Sequence, residues 1–148
     1  MSGRFEGTAV VDRPIEVVFA FLADGENDPK FSPRVQEIAK TTDGPPGAGT
    51  VYASTVKDAG MTTKREFEIT EFEAPTRIRW AERSKNTVTA PEGGYDLAPE
   101  GSGTKVTIYN VLQGNGLLGK LIEPLALRSA RKGADDFGRS IKAAVEAS

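Results

Sequence analysis

Apolar and small residues in the last part of the chain recur with the spacing of a helix that buries one face. Successive members are separated by 4, 3, 4, 4 and 3 positions, in the set Ala126, Ala130, Gly133, Phe137, Ile141 and Ala144. Its first three members are tiny and the next two are large. Such a helix either packs very close to its partner or leaves a ligand cavity beneath it, and both interpretations stay open at this point.

The chain before this helix has the pattern of one short helix and several strands. A proline at position 14, followed by Ile15, Val18, Phe19 and Leu22 at helical spacing, predicts a helix over 14–23. Residues 26–33 are interpreted as a short helical turn or a lid. Alternating apolar positions bounded by glycine and proline turns predict strands over 4–11, 35–41, 50–57, 62–73, 77–83, 87–97 and 104–112.

Strands joined by tight turns predict an antiparallel sheet, and its one apolar face needs a cover. The terminal helix is the obvious cover, so the sheet is expected to curve around it. A separate short apolar segment over 117–125 is expected before that helix, with Pro124 at the boundary as a kink or a helix start. Within the strand over 62–73, Arg65, Phe67 and Ile69 share the face turned away from the charged residues.

Composition narrows the function. The chain has 148 residues, enough for a single domain over 1–148, and its net charge of −2 gives no general attraction to nucleic acid or acidic membranes. Histidine and cysteine are absent, which excludes disulfides, thiol chemistry and histidine-based catalysis or metal binding. With neither a signal-like start nor a membrane span, these features predict a cytoplasmic protein without metal, cofactor, nucleic-acid partner or stable membrane insertion.

Several segments together carry a resemblance to a known family. They are the helix over 14–22, Lys30-Phe31-Ser32-Pro33, the strand and turn over 67–75, Arg77-Ile78-Arg79-Trp80, the hairpin over 101–107 and the terminal helix. Their order resembles the helix-grip fold of the START-like (SRPBCC) superfamily. The local sequence is similar to its bacterial branch, described as polyketide cyclase/dehydrase and lipid-transport proteins.

The resemblance implies an α+β helix-grip fold, with a curved antiparallel sheet of about seven strands wrapped around a long C-terminal helix. It implies two short helices after the first strand and an apolar ligand between the sheet and the long helix. Residues predicted to line that space are Phe31, Tyr52, Phe67, Ile69, Trp80, Tyr95, Asn110, Leu118, Ile122, Ala126, Ala130 and Gly133.

Three residues are candidates for catalysis: Arg65, Glu82 and Tyr95. Arg65 could bind a ligand oxygen, or it could reach solvent or pair with a glutamate on a neighbouring strand. Glu82 could act as a general base if burial raised its pKa, whereas a residue at a strand end more often faces water. Tyr95 could donate a proton, or it could be an ordinary half-buried strand tyrosine.

Other candidates also have two interpretations. Trp80 could stack on a flat ligand or belong to the core with its N–H bonded to a carbonyl, and Asn110 could face inward and need a ligand or water as partner. Phe31 could gate the cavity or cover the edge of the core. The leucines of Leu117–Leu125 could line an entrance, contact a second copy or a membrane, or pack against the first helix.

The main hypothesis is therefore binding or carriage of a small hydrophobic or amphipathic molecule (a lipid, polyketide or aromatic compound) by a monomer or weak homodimer. The first alternative is an enzyme of the polyketide aromatase/cyclase or dehydratase type. The lack of histidine and cysteine argues against it. The second alternative is a protein-interaction module that uses Leu117–Leu125.

Overall fold

A computed structural model describes residues 2–58 and 60–148. The strands in this part of the chain are β1 (Ser2–Val11), β2 (Val35–Lys40), β3 (Val51–Asp58), β4 (Met61–Glu73), β5 (Arg77–Glu82), β6 (Val88–Glu100) and β7 (Gly103–Gly114). Helix α1 (Ile15–Ala23) and the 3-10 helix η1 (Gly25–Lys30) follow β1, and α2 (Gly116–Glu146) follows β7. The two short helices, the strands and the long terminal helix confirm the predicted order.

All seven described strands join one antiparallel sheet in the order β1-β7-β6-β5-β4-β3-β2. The β6–β7 hairpin is tight and uses Gly101 at φ +60°, a conformation that glycine adopts without steric cost, whereas residues 41–50 form a longer loop between β2 and β3. The pairing register shifts between Thr89 and Glu92, where proline and paired glycines predicted a bulge, and again between Ile69 and Glu71. These irregularities bend the sheet, and the fold is the predicted helix-grip arrangement.

The hydrophobic core lies under α1 and the C-terminal half of α2. One row of paired residues crosses the inner face of the sheet through Ile108, Tyr95 and Ile78, and all three are buried. Ile141 and Val145 of α2 are completely buried above this end of the sheet. The core therefore fixes one end of α2, and the other end extends past β1 and β7.

The predicted buried face of the terminal helix is wrong in phase. The buried residues of α2 are Gly119, Ala134, Gly138, Ile141 and Val145. Gly133 is exposed, and a Cβ built on it would meet nothing within 4 Å. Ala126, Ala130, Phe137 and Ala144 are only half-buried. Ile141 belongs to both sets, and the centre of the observed contact with the sheet lies about 70° around the helix from the predicted centre, at 100° per residue.

The small residues on the true buried face allow the backbones of α2 and β1 to approach closely. A Cβ on Gly138 would lie 2.5 Å from the carbonyl oxygen of Thr8, and one on Gly7 would lie 2.6 Å from that of Ala134. Close packing therefore occurs at Ala134 and Gly138, two small residues that lie outside the predicted set. Ala126 and Ala130 lie beside this contact, and for them both interpretations, close packing and a ligand cavity, stay open.

The expected break at Pro124 is also wrong. Helix α2 runs without interruption from Gly116 to Glu146 and includes Pro124. Pro124 is exposed, so the carbonyl group one turn earlier, at Lys120, can turn toward water when it loses its intrahelical donor. The apolar segment Leu117–Leu125 is consequently the start of α2 and not a separate element.

The contact of α2 with β1 makes two glycine substitutions behave oppositely. Gly133→Ala is expected to raise the free energy of unfolding by up to about 1 kcal/mol, because alanine favours helix and the position is open. Gly138→Ala is expected to lower it by about 1–3 kcal/mol, because the new methyl group overlaps the Thr8 carbonyl. Urea unfolding of both variants tests this; equal changes would show that α2 does not pack on β1 as described.

Candidate functional site

The middle of the inner sheet face lies beside α2 and is only half-buried. A row of paired residues runs from Phe5 through Asn110, Gly93 and Trp80 to Ile69. Helix α2 packs mainly on β1 and β7, which leaves the side chains of β4 and β5 beyond it. Phe67, Trp80 and Asn110 are accordingly half-buried.

One side of α2 borders this surface. Phe137 lies edge-on to the core residue Phe31, with ring centroids 5.7 Å apart, so its side of the helix points inward. Ala126 and Ala130 lie within about 20° of Phe137 around the helix axis at 100° per residue. We give the name concave site to the half-buried inner-face residues Phe67, Trp80 and Asn110 together with Ala126 and Ala130 on the side of α2 that Phe137 turns inward.

Trp80 and Asn110 are held together within the concave site. The indole N–H of Trp80 donates a 2.9 Å hydrogen bond to the Oδ1 atom of Asn110. Gly93 lies between them in the register, and any side chain there would overlap both groups. The inward-facing asparagine therefore has a protein partner, and its amide N–H groups remain available to a ligand.

Arg65 and Glu82 form a buried ion pair at the edge of the concave site. The Nη1 atom of Arg65 lies 2.9 Å from Oε1 and 3.0 Å from Oε2 of Glu82. The side chain of Glu82 is 0% exposed and that of Arg65 is 23% exposed. The expectation that Glu82 faces water is therefore wrong. Of the interpretations of Arg65, the structure shows the pairing with a glutamate on a neighbouring strand.

Glu82 is also held by other donors. It accepts hydrogen bonds from the Ser84 hydroxyl at 2.6 Å, the Asn86 amide at 2.9 Å and the Ala90 backbone N–H at 2.8 Å. A carboxylate with this many donors has its lone pairs occupied. Glu82 thus joins β4, β5 and β6 structurally and is poorly placed to accept a proton from a substrate.

The three tyrosines do not share a face. Tyr109 lies on the outer face, where its hydroxyl donates to Glu92 at 2.7 Å and its ring lies 3.9 Å from the Arg4 guanidinium. Burial and the bond to Glu92 raise its pKa to about 12. Tyr52 points inward, packs on Gly25 and makes a long 3.5 Å hydrogen bond to the Ala23 carbonyl. Tyr95 is buried in the inner face.

Asp28 is half-buried in η1 and its charge acts on the buried Tyr95, although no sequence pattern singled it out. Burial, followed by repulsion from Asp24, raises the pKa of the Asp28 carboxyl from 3.8 to about 7. Burial, followed by the charge of Asp28, raises the pKa of Tyr95 well above 10.0. Within residues 2–58 and 60–148, no group hydrogen-bonds to the Asp28 carboxyl or the Tyr95 hydroxyl.

Asp28 reaches the interior because η1 is held over the sheet by its own contacts. The Asn27 amide donates to the Phe21 carbonyl at 2.9 Å, and the Asp28 carbonyl accepts from the N–H groups of Phe31 and Ser32. A carboxyl with a pKa near 7 can donate or accept a proton close to neutral pH. A buried tyrosine that stays protonated can donate a hydrogen bond to a carbonyl oxygen.

Phe31 is part of the core and not a gate. It is buried, and its ring contacts both Phe137 and Phe21. This matches the interpretation that it covers the core edge. Ile69, Tyr52 and Tyr95 are likewise buried, so four of the predicted lining residues belong to the core.

Two open clefts lie outside the concave site. One, of about 420 Å³, lies between η1 and the end of α2, beside Phe31 and Ala144. The other, of about 770 Å³, lies on β2, β3 and β4 and includes Ile38, Ser54 and Arg65. Its described lining contains no residue of α2 and includes consecutive residues of each strand, which point to both faces of the sheet, as at an open sheet edge. We therefore base the functional argument on the concave site.

The leucines at the start of α2 are exposed. Leu117, Leu118, Leu121 and Leu125 are 61–83% exposed, so they do not pack against α1. Leu118 consequently lies outside the concave site, contrary to its predicted role as a lining residue. Ile122, one turn further along α2, is half-buried. No described helix is both long and apolar enough to cross a membrane, and the described residues contain no cluster of metal-binding side chains.

A curved antiparallel sheet around a terminal helix, with a half-buried inner face, defines a START-like helix-grip protein. The chain belongs to the family described as polyketide cyclase / dehydrase and lipid transport, whose model matches residues 2–146. The resemblance inferred from the sequence is thereby confirmed. No curated protein matches the chain in sequence.

Solved structures share this fold at low sequence identity. TTHA0849 from Thermus thermophilus is 18% identical over 98% of each chain, with a TM-score of 0.81. The Zhui aromatase/cyclase from Streptomyces sp. R1128 is 16% identical over 98% of this chain and 92% of its own, with a TM-score of 0.75. A START superfamily protein from Mycobacterium smegmatis is 16% identical over 97% of each chain, with a TM-score of 0.75.

Proposed function

We propose that the protein binds and carries a small hydrophobic or amphipathic molecule in the concave site. The observation that carries the proposal is the half-buried state of Phe67, Trp80 and Asn110 next to two alanines of α2. Burial of ligand surface against Phe67 and Trp80 supplies affinity, at about 25 cal/mol per Å² of apolar area. The free amide N–H of Asn110 orients a polar group of the ligand.

Filling the concave site from the helix side is expected to weaken ligand binding strongly. Ala130→Phe adds a ring on the side of α2 that borders the inner sheet face, and binding of the probe 8-anilinonaphthalene-1-sulfonate (ANS) should weaken at least about tenfold. Quenching of Trp80, the only tryptophan, reports binding directly at the site. Ser129→Phe adds the same ring at an exposed position of α2 and should leave quenching unchanged. Equal binding by both variants would place the ligand elsewhere.

The second candidate function is a cyclase or dehydratase-type reaction on a carbonyl-rich substrate. Asp28 and Tyr95 favour it, because the charge of Asp28 reaches the buried Tyr95 and neither side-chain oxygen is used by a protein hydrogen bond among the described residues. Asp28 would move a proton next to a carbonyl while Tyr95 donates a hydrogen bond to the oxygen. Arg65 and Glu82 would support the site structurally. The Zhui neighbour is an aromatase/cyclase, which is consistent with this candidate and says nothing of this chain's substrate.

We further propose that residues 1–148 act as one ligand-binding domain in the cytoplasm. The balanced charge and the absence of cysteine support this location. Neither metal nor cofactor is needed for binding in this scheme.

A further inference from the structure

The first turns of α2 carry a ridge of leucines that no described part of the chain covers. We call Leu117, Leu118, Leu121 and Leu125 the leucine ridge; their exposures are 83%, 61%, 68% and 68%. At 100° per residue these side chains lie within an arc of about 100° on α2. The buried residues Gly119 and Ala134 lie on roughly the opposite side, so the ridge projects away from the sheet.

Basic side chains continue the same face of the helix. Arg128 and Lys132 fall within the arc of the leucine ridge, one and two turns further along, and Lys120 lies at its flank. None of these three forms an ion pair within the described residues. All three are exposed.

Acidic groups are absent from the described ridge itself. Glu123, in the middle of the segment, turns back toward the sheet and accepts a 2.6 Å hydrogen bond from the Gly114 N–H. The next acidic residues on α2 are Asp135 and Asp136, and Asp136 pairs with Arg139. They begin about 15 Å beyond Leu125, at 1.5 Å per residue.

We propose that the leucine ridge docks the protein on an anionic lipid bilayer as a peripheral contact. The leucines enter the boundary between head groups and acyl chains, and Lys120, Arg128 and Lys132 approach lipid phosphates. The local charge thus complements the membrane although the whole chain carries a net charge of −2. The docking does not depend on the proposed ligand, because it uses the outer side of α2 and not the concave site.

The same residues disfavour a second copy of the chain as the occupant. A two-fold contact with the α2 helices parallel would bring Arg128 and Lys132 of one copy close to those of the other, and an antiparallel contact centred on the leucines would leave them at its ends without acidic partners on the ridge. Like charges at such a contact oppose association. An anionic bilayer offers an apolar interior to the leucines and negative head groups to the basic side chains, so it matches both parts of this face of α2.

Vesicle flotation with the full chain tests the proposal. Binding is expected to phosphatidylcholine vesicles that contain phosphatidylglycerol, and to weaken as salt is added. The double variant Leu118→Ser with Leu121→Ser should lower the partition coefficient at least about tenfold, since two large apolar side chains leave the lipid. Val17→Ser removes an apolar side chain, 46% exposed on α1, outside the ridge and should change nothing.

The charge contribution is tested separately. Arg128→Gln with Lys132→Gln should weaken binding to the anionic vesicles about tenfold or more, at about 1 kcal/mol per basic residue, and remove most of the salt dependence. All these positions are exposed, so circular dichroism should be unchanged. Absence of vesicle binding, or equal binding by the double leucine variant, would overturn the proposal. So would a dimer of the unmodified chain that the leucine variant abolishes, because the ridge would then bind a second copy.

Discussion

Replacing Asp28 with asparagine is expected to stabilise the protein at pH 8 by up to about 4 kcal/mol. The carboxyl has a folded-state pKa of about 7 against 3.8, and at 1.36 kcal/mol per pH unit this difference corresponds to about 4 kcal/mol. The causes are removal of the charge from water in the half-buried η1 and, second, repulsion from Asp24. Asparagine keeps the shape and removes the charge.

The stabilisation by Asp28→Asn depends on pH, and the two pKa values of Asp28 fix the direction of that dependence. Unfolded chains lose the Asp28 proton near pH 3.8, whereas the folded protein keeps it to about pH 7. Between these values the folded state binds more protons, so the free energy of unfolding contributed by Asp28 falls as pH rises and levels off above pH 7. The advantage of Asp28→Asn should therefore be small at low pH and grow through this window.

Urea unfolding of the unmodified protein and of Asp28→Asn from pH 4 to pH 8 measures this difference in the free energy of unfolding. The other titrating groups are present in both proteins, so their contributions cancel in the comparison. Asp43→Asn, in the exposed turn after β2, is the matched control and should show no growing advantage. A difference between Asp28→Asn and the unmodified protein that stays constant with pH would contradict a buried carboxyl at Asp28. If Asp28→Asn also weakens ANS binding or catalysis, the Asp28 carboxyl takes part in ligand binding.

Glu82→Ala is expected to lower the free energy of unfolding by about 3–5 kcal/mol, the usual cost of removing one partner from a buried ion pair. It leaves the Arg65 guanidinium, 23% exposed, without its carboxylate, and removes the acceptor of the Ala90 N–H. Glu68→Ala is the matched control. Glu68 pairs with Arg83 near the same two strands at 2.8 Å, but that pair is far more exposed and should cost about 1 kcal/mol or less.

Denaturant unfolding of the two glutamate variants separates these cases. A large loss for Glu82→Ala and a small loss for Glu68→Ala are expected. Equal losses would mean that Glu82 faces water, as the sequence alone suggested, and that β4, β5 and β6 are not joined through it.

Strand faces could be predicted well because alternation records which side is buried. Arg65, Phe67 and Ile69 do share the inner face, since a period of two fixes their side regardless of distant contacts. The exact role of Arg65 depended on Glu82, which lies 17 residues away. That pairing becomes visible only when β4 and β5 are placed in register.

The phase of the terminal helix could not be predicted with the same certainty. Alanine and glycine are frequent along α2 and differ little in apolar character, so sets one residue apart score almost equally. Close backbone contacts distinguish the two faces of α2, because Gly138 lies against Thr8 and Ala134 lies against Gly7. Both partners lie more than 100 residues away in the chain.

Asp28 was missed for a related reason. In the sequence it is one polar residue between Asn27 and Pro29 in a short connection, a common solvent-exposed setting. Only the position of η1 above the inner sheet face brings it close to Tyr95. Interior acids of this kind carry no local signal, because their burial comes from elements distant in the sequence.

Native mass spectrometry tests the central claim most directly, that the concave site holds a small apolar or amphipathic molecule. Freshly purified protein, or protein incubated with ANS, should show a non-covalent adduct that disappears on denaturation. The Ala130→Phe variant should show only the bare chain, and Ser129→Phe should keep the adduct. A bare mass for the unmodified protein under both conditions, or an adduct that Ala130→Phe retains, would contradict the account.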